Sequence, residues 1–347
     1  MKIFIPVISL FIFCIFSCTD SREQPVTKLY ELKGRALGTT WTIKALSQDE
    51  LDQKELRKDI VRRLEELEKI FSHWRAKSEL YQFNAALTTT PISIHPELLE
   101  LLRHAQWMHK QSDGIFDPTI APVVNLWGFG PVGKTRSTLP TEDQIQKAMS
   151  LAGMEKLEIL PQGMVRKKVT TLQLDFSASA KGEIIDQICK LLDRWGLKNY
   201  LVEIGGEIRA EGKGRKGKGW VVGLEDGNLQ KPEDMTSVTL RNYAVATSGS
   251  YRLTKPKPDS NRSASHLIDP RTGRPIEHSL VAVNAFAPTA RDADAWATAL
   301  MILGTEQGMQ LAEKMDMVVR FSILDGKKVK NIHSTAYDRL YSSTISK

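Results

Sequence analysis

Residues 266–304 carry the side chains best suited to chemistry in this sequence. The segment opens with His266 and a polar turn, Asp269-Pro270-Arg271-Thr272-Gly273, and closes with a pattern typical of a helix, with Asp292 near its start. Asp294 and Thr298 are four residues apart, so they lie on one helix face, one turn above the other. A carboxylate and a hydroxyl so placed are hard oxygen ligands, which Mg²⁺ prefers when a phosphate completes its shell. Acids in a first helical turn also complement the helix dipole, and the pair alone leaves both interpretations open.

The start of the chain predicts an exported, lipid-anchored protein. Met1-Lys2 precedes an almost wholly apolar run to Phe16, shorter than the roughly 20 residues of a membrane span and typical of a signal-peptide core. The run ends at Ser17-Cys18, which resembles a bacterial lipobox. We therefore predict a lipoprotein signal peptide over residues 1–17, lipid on Cys18, a tether over 18–30 and one domain over 31–340. The anchor would hold the protein at the periplasmic or outer face of the cell membrane. An ordinary signal peptide or a retained anchor is the alternative.

Charge and cysteine content limit the function classes. The net charge of +7 is modest, and the densest basic cluster, residues 213–218, lacks the interleaved aromatics of a nucleic-acid surface, so we predict a solvated loop. Of three cysteines, Cys14 and Cys18 belong to the leader, so no internal disulfide is possible in the mature chain. A chain this long buries enough surface without one. Cys189 follows an apolar helical pattern and is predicted to be core rather than a nucleophile.

Apolar periodicity and capping signals predict interspersed helices and strands. Helices are predicted over residues 49–71, from Pro96, from Thr141, over 181–195 and from Thr289 to Gly304. Strands are predicted over 36–46, 169–175, 200–210, 220–224, 238–246, 280–287 and 317–324. Several strands follow one another as hairpins, which indicates an α+β domain rather than a doubly wound sheet. No dinucleotide-binding or P-loop glycine motif occurs, so neither standard loop would hold a nucleotide.

Glycine-rich and polar segments interrupt the apolar runs, and together they resemble the ApbE-type FAD:protein FMN transferases. The segments are Gly38-Thr39-Thr40-Trp41, Phe71-Ser72-His73-Trp74-Arg75 with Phe83-Asn84, Gly114-Ile115-Phe116-Asp117-Pro118 with Asn125-Leu126-Trp127-Gly128-Phe129-Gly130, Asp175-Phe176-Ser177 with Ala180-Lys181-Gly182, residues 199–207, Ala246-Thr247-Ser248-Gly249, His266 with Asp269-Pro270-Arg271-Thr272-Gly273, and Ala293-Asp294-Ala295 through Thr298. They keep the family's order and cover residues 32–323, nearly the whole mature chain.

The resemblance implies a single α+β domain with a mixed, largely antiparallel sheet, flanking helices and an FAD cleft. Such an enzyme requires Mg²⁺, cleaves the FAD pyrophosphate and attaches FMN by a phosphoester bond to a threonine of an acceptor protein, with AMP as leaving group. Family acceptors include subunits of sodium-pumping NADH:quinone reductases and of Rnf-type complexes. An FAD pyrophosphatase that releases FMN and AMP, or a flavin-binding lipoprotein, is the alternative.

The resemblance also assigns site residues. Asp294, Thr298 and the main-chain carbonyl of Ala178 would hold Mg²⁺, and the catalytic residues would be His266, Lys181 and Asp294. His266 would be the general base, oriented by Asp269 or Arg271, unless it only braces the turn. The FAD-binding residues would be Leu37, Trp74, Ile115, Phe116, Asp117, Asp175, Lys181, Gly205, Gly206, Ser248, His266 and Ile268. Trp74 stands where the family often has tyrosine, and Leu37 where methionine is common.

Overall fold

The computed structural model describes residues 27–132, 138–227, 235–250, 254–257, 260–326 and 328–341. The α-helices are α1 (Gln53–Phe71), α2 (Glu79–Ala85), α3 (Pro96–Gln111), α4 (Ala121–Leu126), α5 (Glu142–Met149), α6 (Ala180–Arg194), α7 (Ala290–Lys314) and α8 (Thr335–Tyr341), with 3₁₀ turns at Pro118–Ile120, Met154–Lys156 and Pro161–Gly163. The strands are β1 (Lys28–Ala36), β2 (Thr39–Ser47), β3 (Ile92–Ser93), β4 (Leu157–Ile159), β5 (Met164–Lys167), β6 (Tyr200–Ile204), β7 (Glu207–Glu211), β8 (Trp220–Gly223), β9 (Ser237–Leu240), β10 (Tyr243–Gly249), β11 (Thr254–Lys257), β12 (Ser260–Ser265), β13 (Ile268–Asp269), β14 (Arg274–Pro275), β15 (Leu280–Ala287), β16 (Val318–Asp325) and β17 (Lys328–His333).

One sheet organises the molecule. Across the described residues its strand order is β1-β2-β6-β7-β10-β15-β16-β17, and each neighbouring pair is antiparallel. Alternate residues point to opposite faces, so Ala244 and Ala285 face one core while Val245 and Phe286 face another. Helices α1, α3, α6 and α7 cover the first face, and the β8–β9 hairpin with α8 covers the second. The predicted α+β domain with flanking helices is confirmed.

Helix α7 lies against the middle of this sheet, over β10 and β15. Its first turn is capped by the Thr289 hydroxyl, which accepts the Asp292 N–H at 3.1 Å, as predicted. Gly304, the predicted end, has φ 76° and interrupts the helix, but helical structure resumes and continues to Lys314. Buried alanines at positions 244, 246 and 285 lie on the strand faces toward α7 and leave room for close helix–sheet packing.

A smaller unit beside the sheet forms one wall of the site. Val123 of α4, Ala148 of α5 and Ile268 of β13 make a separate apolar cluster. The Trp127 indole N–H donates to the Gly273 carbonyl at 2.8 Å and joins this unit to the turn after β13. The glycine-rich segment after α4 is thereby tied to the Asp269-Pro270-Arg271-Thr272-Gly273 turn.

Several predicted elements are confirmed within a few residues, namely α1, α3, α5, α6, β8, β15 and β16. The predicted strand over 169–175 is wrong: Leu174 is buried, but its main-chain N–H and carbonyl bond to the Asn84 side chain at 2.8 Å each, in place of a neighbouring strand. The strand over 200–210 is two strands, because Gly205 and Gly206 turn the chain between β6 and β7. The strand over 238–246 likewise splits at Asn242, which has φ 52°.

The amino-terminal predictions fall mostly outside the described residues. The predicted signal peptide over 1–17 and the predicted lipidation site Cys18 lie there. Strand β1 begins at Lys28, within the segment predicted as tether, and Tyr30 is buried against the domain, so the folded unit includes residues assigned to the tether. None of the helices formed by the described residues is long and apolar enough to cross a bilayer.

Candidate active site

A cavity of about 510 Å³ lies where the starts of α6 and α7 meet the end of β10. Its lining comes from segments far apart in sequence: Trp74, Ile115, Phe116, Asp117, Pro118, Ile120, Val124, Phe129, Asp175, Ser177, Ala178, Lys181, Glu207, Thr247, Ser248, Gly249, His266, Leu267, Ile268, Pro270, Asp294, Thr298 and Ile302. Apolar walls with a few converging polar groups are typical of sites for small-molecule ligands.

The polar corner of the cavity is formed by α7 and β10. The Asp294 side chain is almost fully buried, and its Oδ2 accepts the Gly182 N–H from the first turn of α6 at 3.1 Å. One turn further, Thr298 Oγ1 lies 3.1 Å from Ser248 Oγ of β10. A carboxylate and two hydroxyls therefore converge on one side of the cavity, and Ala178 belongs to the same lining.

Gly182 makes this arrangement possible. A Cβ at this position would lie 2.2 Å from the Ala290 carbonyl oxygen, so α6 and α7 are in main-chain contact here. Asp186, one turn along α6, accepts the main-chain N–H groups of Ala290 and Arg291 at 3.0 Å each. The first turn of α7 is thereby fixed to α6, which holds Asp294 close to Lys181.

Lys181 is paired with a buried glutamate. Its Nζ lies 2.6 Å from Glu207 Oε2, and the Glu207 side chain is 2 % exposed whereas that of Lys181 is 35 % exposed. Glu207 follows Gly205 and Gly206, whose φ values of 62° and 103° make the tight β6–β7 turn. Sequence reasoning missed Glu207 as a site residue, although the two glycines directly before it were the available signal.

The rest of the α7 start faces away from the cavity. Arg291 pairs with the buried Glu183 at 3.0 Å, and burial raises the pKa of Glu183 despite the neighbouring cation. Asp292 Oδ1 lies 2.7 Å from His104 Nε2 of α3. Burial would raise the pKa of Asp292, but its hydrogen bonds to His104 and Thr289 outweigh burial and lower it. Asp292 therefore attaches α7 to α3, whereas Asp294 lines the cavity.

The apolar wall begins at the end of α3. Ile115 and Phe116 are buried and line the cavity, and the Phe116 carbonyl lies 3.0 Å from His109 Nδ1. Asp117 Oδ1 accepts the N–H and the hydroxyl of Thr119 at 2.8 and 2.5 Å and so shapes the following turn. Burial raises the pKa of Asp117 even though these hydrogen bonds favour its charged form.

Asp175 enters the cavity from the irregular segment before α6. Its N–H donates to the Pro118 carbonyl at 2.7 Å, and its Oδ1 accepts the Ser177 N–H at 2.8 Å and lies 3.8 Å from His73 Nδ1. The neighbouring Trp74 is 49 % exposed and presents an aromatic surface to the cavity. Such a face can stack on a planar ring system.

His266 also lines the cavity, with its ring 6.3 Å from that of Phe129 in an edge-to-face arrangement. The Asp269 carboxylate is engaged by Arg271, whose N–H and Nε donate to Oδ1 at 2.8 and 3.0 Å. Arg271 also donates to Gln307 Oε1 at 2.9 Å. These bonds hold the turn after His266. That Asp269 or Arg271 orients the histidine stays a prediction.

The structure brings most of the predicted site residues into one cavity and leaves three outside its lining. Leu37 lies in the β1–β2 turn, with φ 56°, beside a second pocket of about 320 Å³. Gly205 and Gly206 form the turn that precedes Glu207, and the Gly205 N–H donates to the Thr40 carbonyl at 3.1 Å. Besides Glu207, sequence reasoning did not assign the lining residues Pro118, Ile120, Val124, Phe129, Ser177, Thr247, Gly249, Leu267, Pro270 and Ile302.

The donor set of the corner fits a hard cation. Within the described residues no group of three or more His, Cys, Asp or Glu side chains is arranged to hold a metal ion. One buried carboxylate beside two hydroxyls is instead the kind of incomplete oxygen set that suits Mg²⁺ when water and a substrate phosphate complete its shell. Cys189 is buried, and burial raises the pKa of its thiol, which fits the predicted core position.

Lys167 is buried among main-chain carbonyls. Its Nζ donates to the Ala86 carbonyl at 2.9 Å and the Asn84 carbonyl at 3.4 Å, and lies 4.7 Å from the centre of the Phe83 ring. The side chain has no accessible surface, and loss of hydration lowers its pKa from 10.5 to about 8.

We expect Lys167 to make the protein more stable as pH rises from about 8 to about 10.5. In that range the unfolded chain still binds the proton that the folded chain has released, so the free energy of unfolding gains about 3 kcal/mol in total. Urea unfolding across this range, for the wild type and Lys167→Met, measures the effect. The free energy of unfolding of the wild type minus that of the variant should rise with pH. If this value stays constant, the assignment is contradicted.

Comparison with known proteins identifies the family. The sequence model of the ApbE family matches residues 37–321. The chain belongs to the ApbE family. An FAD:protein FMN transferase of Vibrio cholerae is 34% identical over 316 residues, covering 91% of this chain and 93% of the relative. One of Klebsiella pneumoniae is 32% identical over 315 residues, covering 88% of both chains.

Solved ApbE structures have the same fold. The flavin transferase ApbE from Vibrio cholerae superposes with a TM-score of 0.82 at 33% identity, covering 90% of this chain and 99% of that one. The apo flavinyl transferase ApbE of Pseudomonas stutzeri also gives 0.82 at 33% identity, covering 91% and 97%. The ApbE fold inferred from the motifs is therefore confirmed over about 90% of the chain.

Proposed function

We propose that this protein is an Mg²⁺-dependent FAD:protein FMN transferase that cleaves the FAD pyrophosphate and attaches FMN to a threonine of an acceptor protein. The observation that carries the proposal is the shared cavity of Lys181, Asp294, Thr298 and Ser248, with an aromatic wall that ends at Trp74. A flavin joined to a diphosphate requires a cation and a metal-binding, oxygen-rich corner for the phosphates, and an apolar slot for the ring. Membership of the ApbE family supports the same activity.

The polar corner would bind both the metal and the diphosphate. Asp294, Thr298 and the Ala178 carbonyl would hold Mg²⁺, which supplies positive charge to the phosphate oxygens as the bridging bond breaks. Lys181 would contribute a second positive charge from the first turn of α6. Glu207 keeps the Lys181 ammonium 2.6 Å from its own carboxylate and so fixes where that charge lies.

The reaction is an in-line displacement at the FMN phosphorus. The threonine oxygen of the acceptor forms the new P–O bond, the pyrophosphate P–O bond breaks, and AMP leaves with the bonding electrons. His266 lines the cavity and would accept the hydroxyl proton. The flavin ring would lie against Trp74, Ile115 and Phe116, while Asp117 and Asp175 would hydrogen-bond the nucleotide.

The acceptor would be a flavoprotein subunit of the sodium-pumping NADH:quinone reductase or Rnf type. Export and lipid attachment at Cys18 would bring the enzyme to the membrane that holds such complexes. The leader pattern of residues 1–18 supports this location.

Mass spectrometry tests the function directly. The protein is incubated with FAD, Mg²⁺ and an acceptor domain, and the acceptor is expected to gain the mass of one FMN on a threonine. Free FMN and AMP without a modified acceptor would indicate a pyrophosphatase in which water replaces the hydroxyl. Bound but uncleaved FAD would indicate a flavin-binding lipoprotein and would overturn the proposal.

A further inference from the structure

We propose that the end of the sheet opposite the cavity is a membrane-facing surface that binds anionic phospholipid headgroups. The inference rests on the proposed lipid anchor at Cys18 and concerns how the anchored domain is oriented. Its basis is the strand register, the unpaired positive charge at that end and an amphipathic groove beside that charge.

The strand register places the start of β1, to which the lipid anchor would lead, and the cavity at opposite ends of the sheet. Lys28 pairs with Ser47 where β1 begins, and along the same sheet end Tyr200 pairs with Glu211 and Ala210 with Tyr243. Strand β10 runs from this end to Gly249, which lines the cavity at the other. A chain leading from Cys18 therefore enters the domain at the end remote from the cavity. The intervening residues 19–27 reach at most about 32 Å, which keeps this end near the lipid surface.

The loop between β7 and β8 supplies the charge at this end. Lys213, Arg215, Lys216 and Lys218 are all exposed, and none forms an ion pair within the part of the chain that the structure describes. The loop is attached to the sheet end, since the Gly212 N–H donates to Asn242 Oδ1 and the Gly214 N–H to Asn199 Oδ1, each at 2.8 Å.

The neighbouring charges leave a positive balance. Arg241, beside the loop's attachment point, is exposed and likewise unpaired among the described residues. The exposed acids Asp49, Glu50 and Asp52 follow β2 at the same end, whereas Asp193 and Asp316 pair with Lys198 and Arg339. The cations of the loop and Arg241 therefore outnumber the acids that have no cationic partner at this end. Clustered lysines and arginines without counter-charges attract anionic membrane surfaces.

A groove of about 740 Å³ continues this surface from the loop toward α8. Lys218, Arg241 and Arg339 line it together with Tyr243 and Leu340, and the Leu340 side chain is 47% exposed. Its described acid is Asp316, which pairs with Arg339 at 2.7 Å. Cations beside aromatic and aliphatic side chains match the interfacial layer of a bilayer. Lipid bound here would turn the cavity away from the membrane and leave it open to an acceptor.

Hydrogen exchange on the full-length, lipidated protein tests the orientation. The protein is reconstituted in vesicles of phosphatidylcholine alone or mixed with phosphatidylglycerol. Exchange over residues 212–219 is expected to slow by roughly fivefold or more on the anionic vesicles, since each engaged cation contributes about that factor, and high salt should remove the protection. Equal exchange on both kinds of vesicle would overturn the proposal.

Two double variants with the same charge change distinguish binding through this surface from a non-specific effect of the protein's net charge. Arg215→Glu with Lys216→Glu is expected to abolish the protection. Lys328→Glu with Lys330→Glu, on exposed positions of β17, is expected to retain it, because β17 begins at the cavity end of the sheet. Protection that survives the first pair, or is lost with the second, would contradict the proposal.

FMN transfer in detergent is expected to be unchanged in both double variants, because none of the four residues lines the cavity. This readout separates the two proposals. If no FMN transfer occurs in any of the proteins while the lipid protection behaves as expected, the proposed function fails and the membrane surface stands.

Discussion

Replacing Asp294 by alanine is expected to lower kcat for FMN transfer by roughly 1,000-fold or more while FAD still binds. The variant removes the single carboxylate of the proposed metal corner but leaves Trp74, Ile115 and Phe116 for the flavin ring. Steady-state transfer across a Mg²⁺ titration, with flavin fluorescence for binding, measures both effects. Transfer at the wild-type rate with normal Mg²⁺ dependence would make the metal assignment wrong.

Two further variants separate the metal role from a structural one. Asp294→Asn keeps an oxygen that can accept the Gly182 N–H, yet removes the charge, so its activity is expected to fall almost as far. Asp292→Ala, two residues earlier, removes the contact with His104 outside the cavity lining. It should lower the free energy of unfolding without changing the Mg²⁺ concentration that half-saturates the enzyme.

The second large effect is expected for Gly182→Ala. Its methyl group would lie 2.2 Å from the Ala290 carbonyl oxygen, a main-chain atom that cannot move aside alone, so α6 and α7 must separate. We expect a loss of about 1–3 kcal/mol in the free energy of unfolding, typical of an overpacked core. Because Lys181 and Asp294 move apart with the helices, kcat should fall by about 100-fold. Urea unfolding and steady-state kinetics measure the two losses.

Gly223→Ala in β8 is the matched control. Its methyl group would meet only the flexible end of Met235, with Cε at 3.0 Å, and it lies outside the cavity lining. Both stability and activity should stay near the wild-type values. If Gly182→Ala behaves like this control, the close contact of the two helices does not position the site.

Local features were readable from the sequence because they depend on neighbouring residues. The Thr289 cap and the capping box at Thr141 were predicted and are present, since a capping side chain bonds main-chain groups only a few residues away. The one-turn spacing of Asp294 and Thr298 likewise follows from helix geometry alone. The ordered set of motifs, taken as a whole, was enough to indicate the ApbE family.

Hydrogen bonds and ion pairs between residues far apart in the chain could not be predicted from the sequence. Residues 169–175 have an apolar pattern that suggests a strand, but Asn84, far away in sequence, takes up the hydrogen bonds of Leu174. Glu207 looked like part of a continuous strand, because its partner Lys181 lies on another element. Such contacts depend on which segments the fold brings together, and local propensity carries no information about them.

The sequence by itself determined α1, α3, α5, α6 and the start of α7, the caps at Thr141 and Thr289, the polar and glycine-rich segments and, through their order, the family. Only the tertiary structure decided that these segments enclose one cavity, that Gly182 holds two helices in main-chain contact, and that the basic loop lies at the opposite end of the sheet. The physical reason is one of range. Periodicity and capping act over a few residues, whereas the site and the charged surface arise from strand register and helix packing between residues more than a hundred positions apart, as for Gly182 and Asp294.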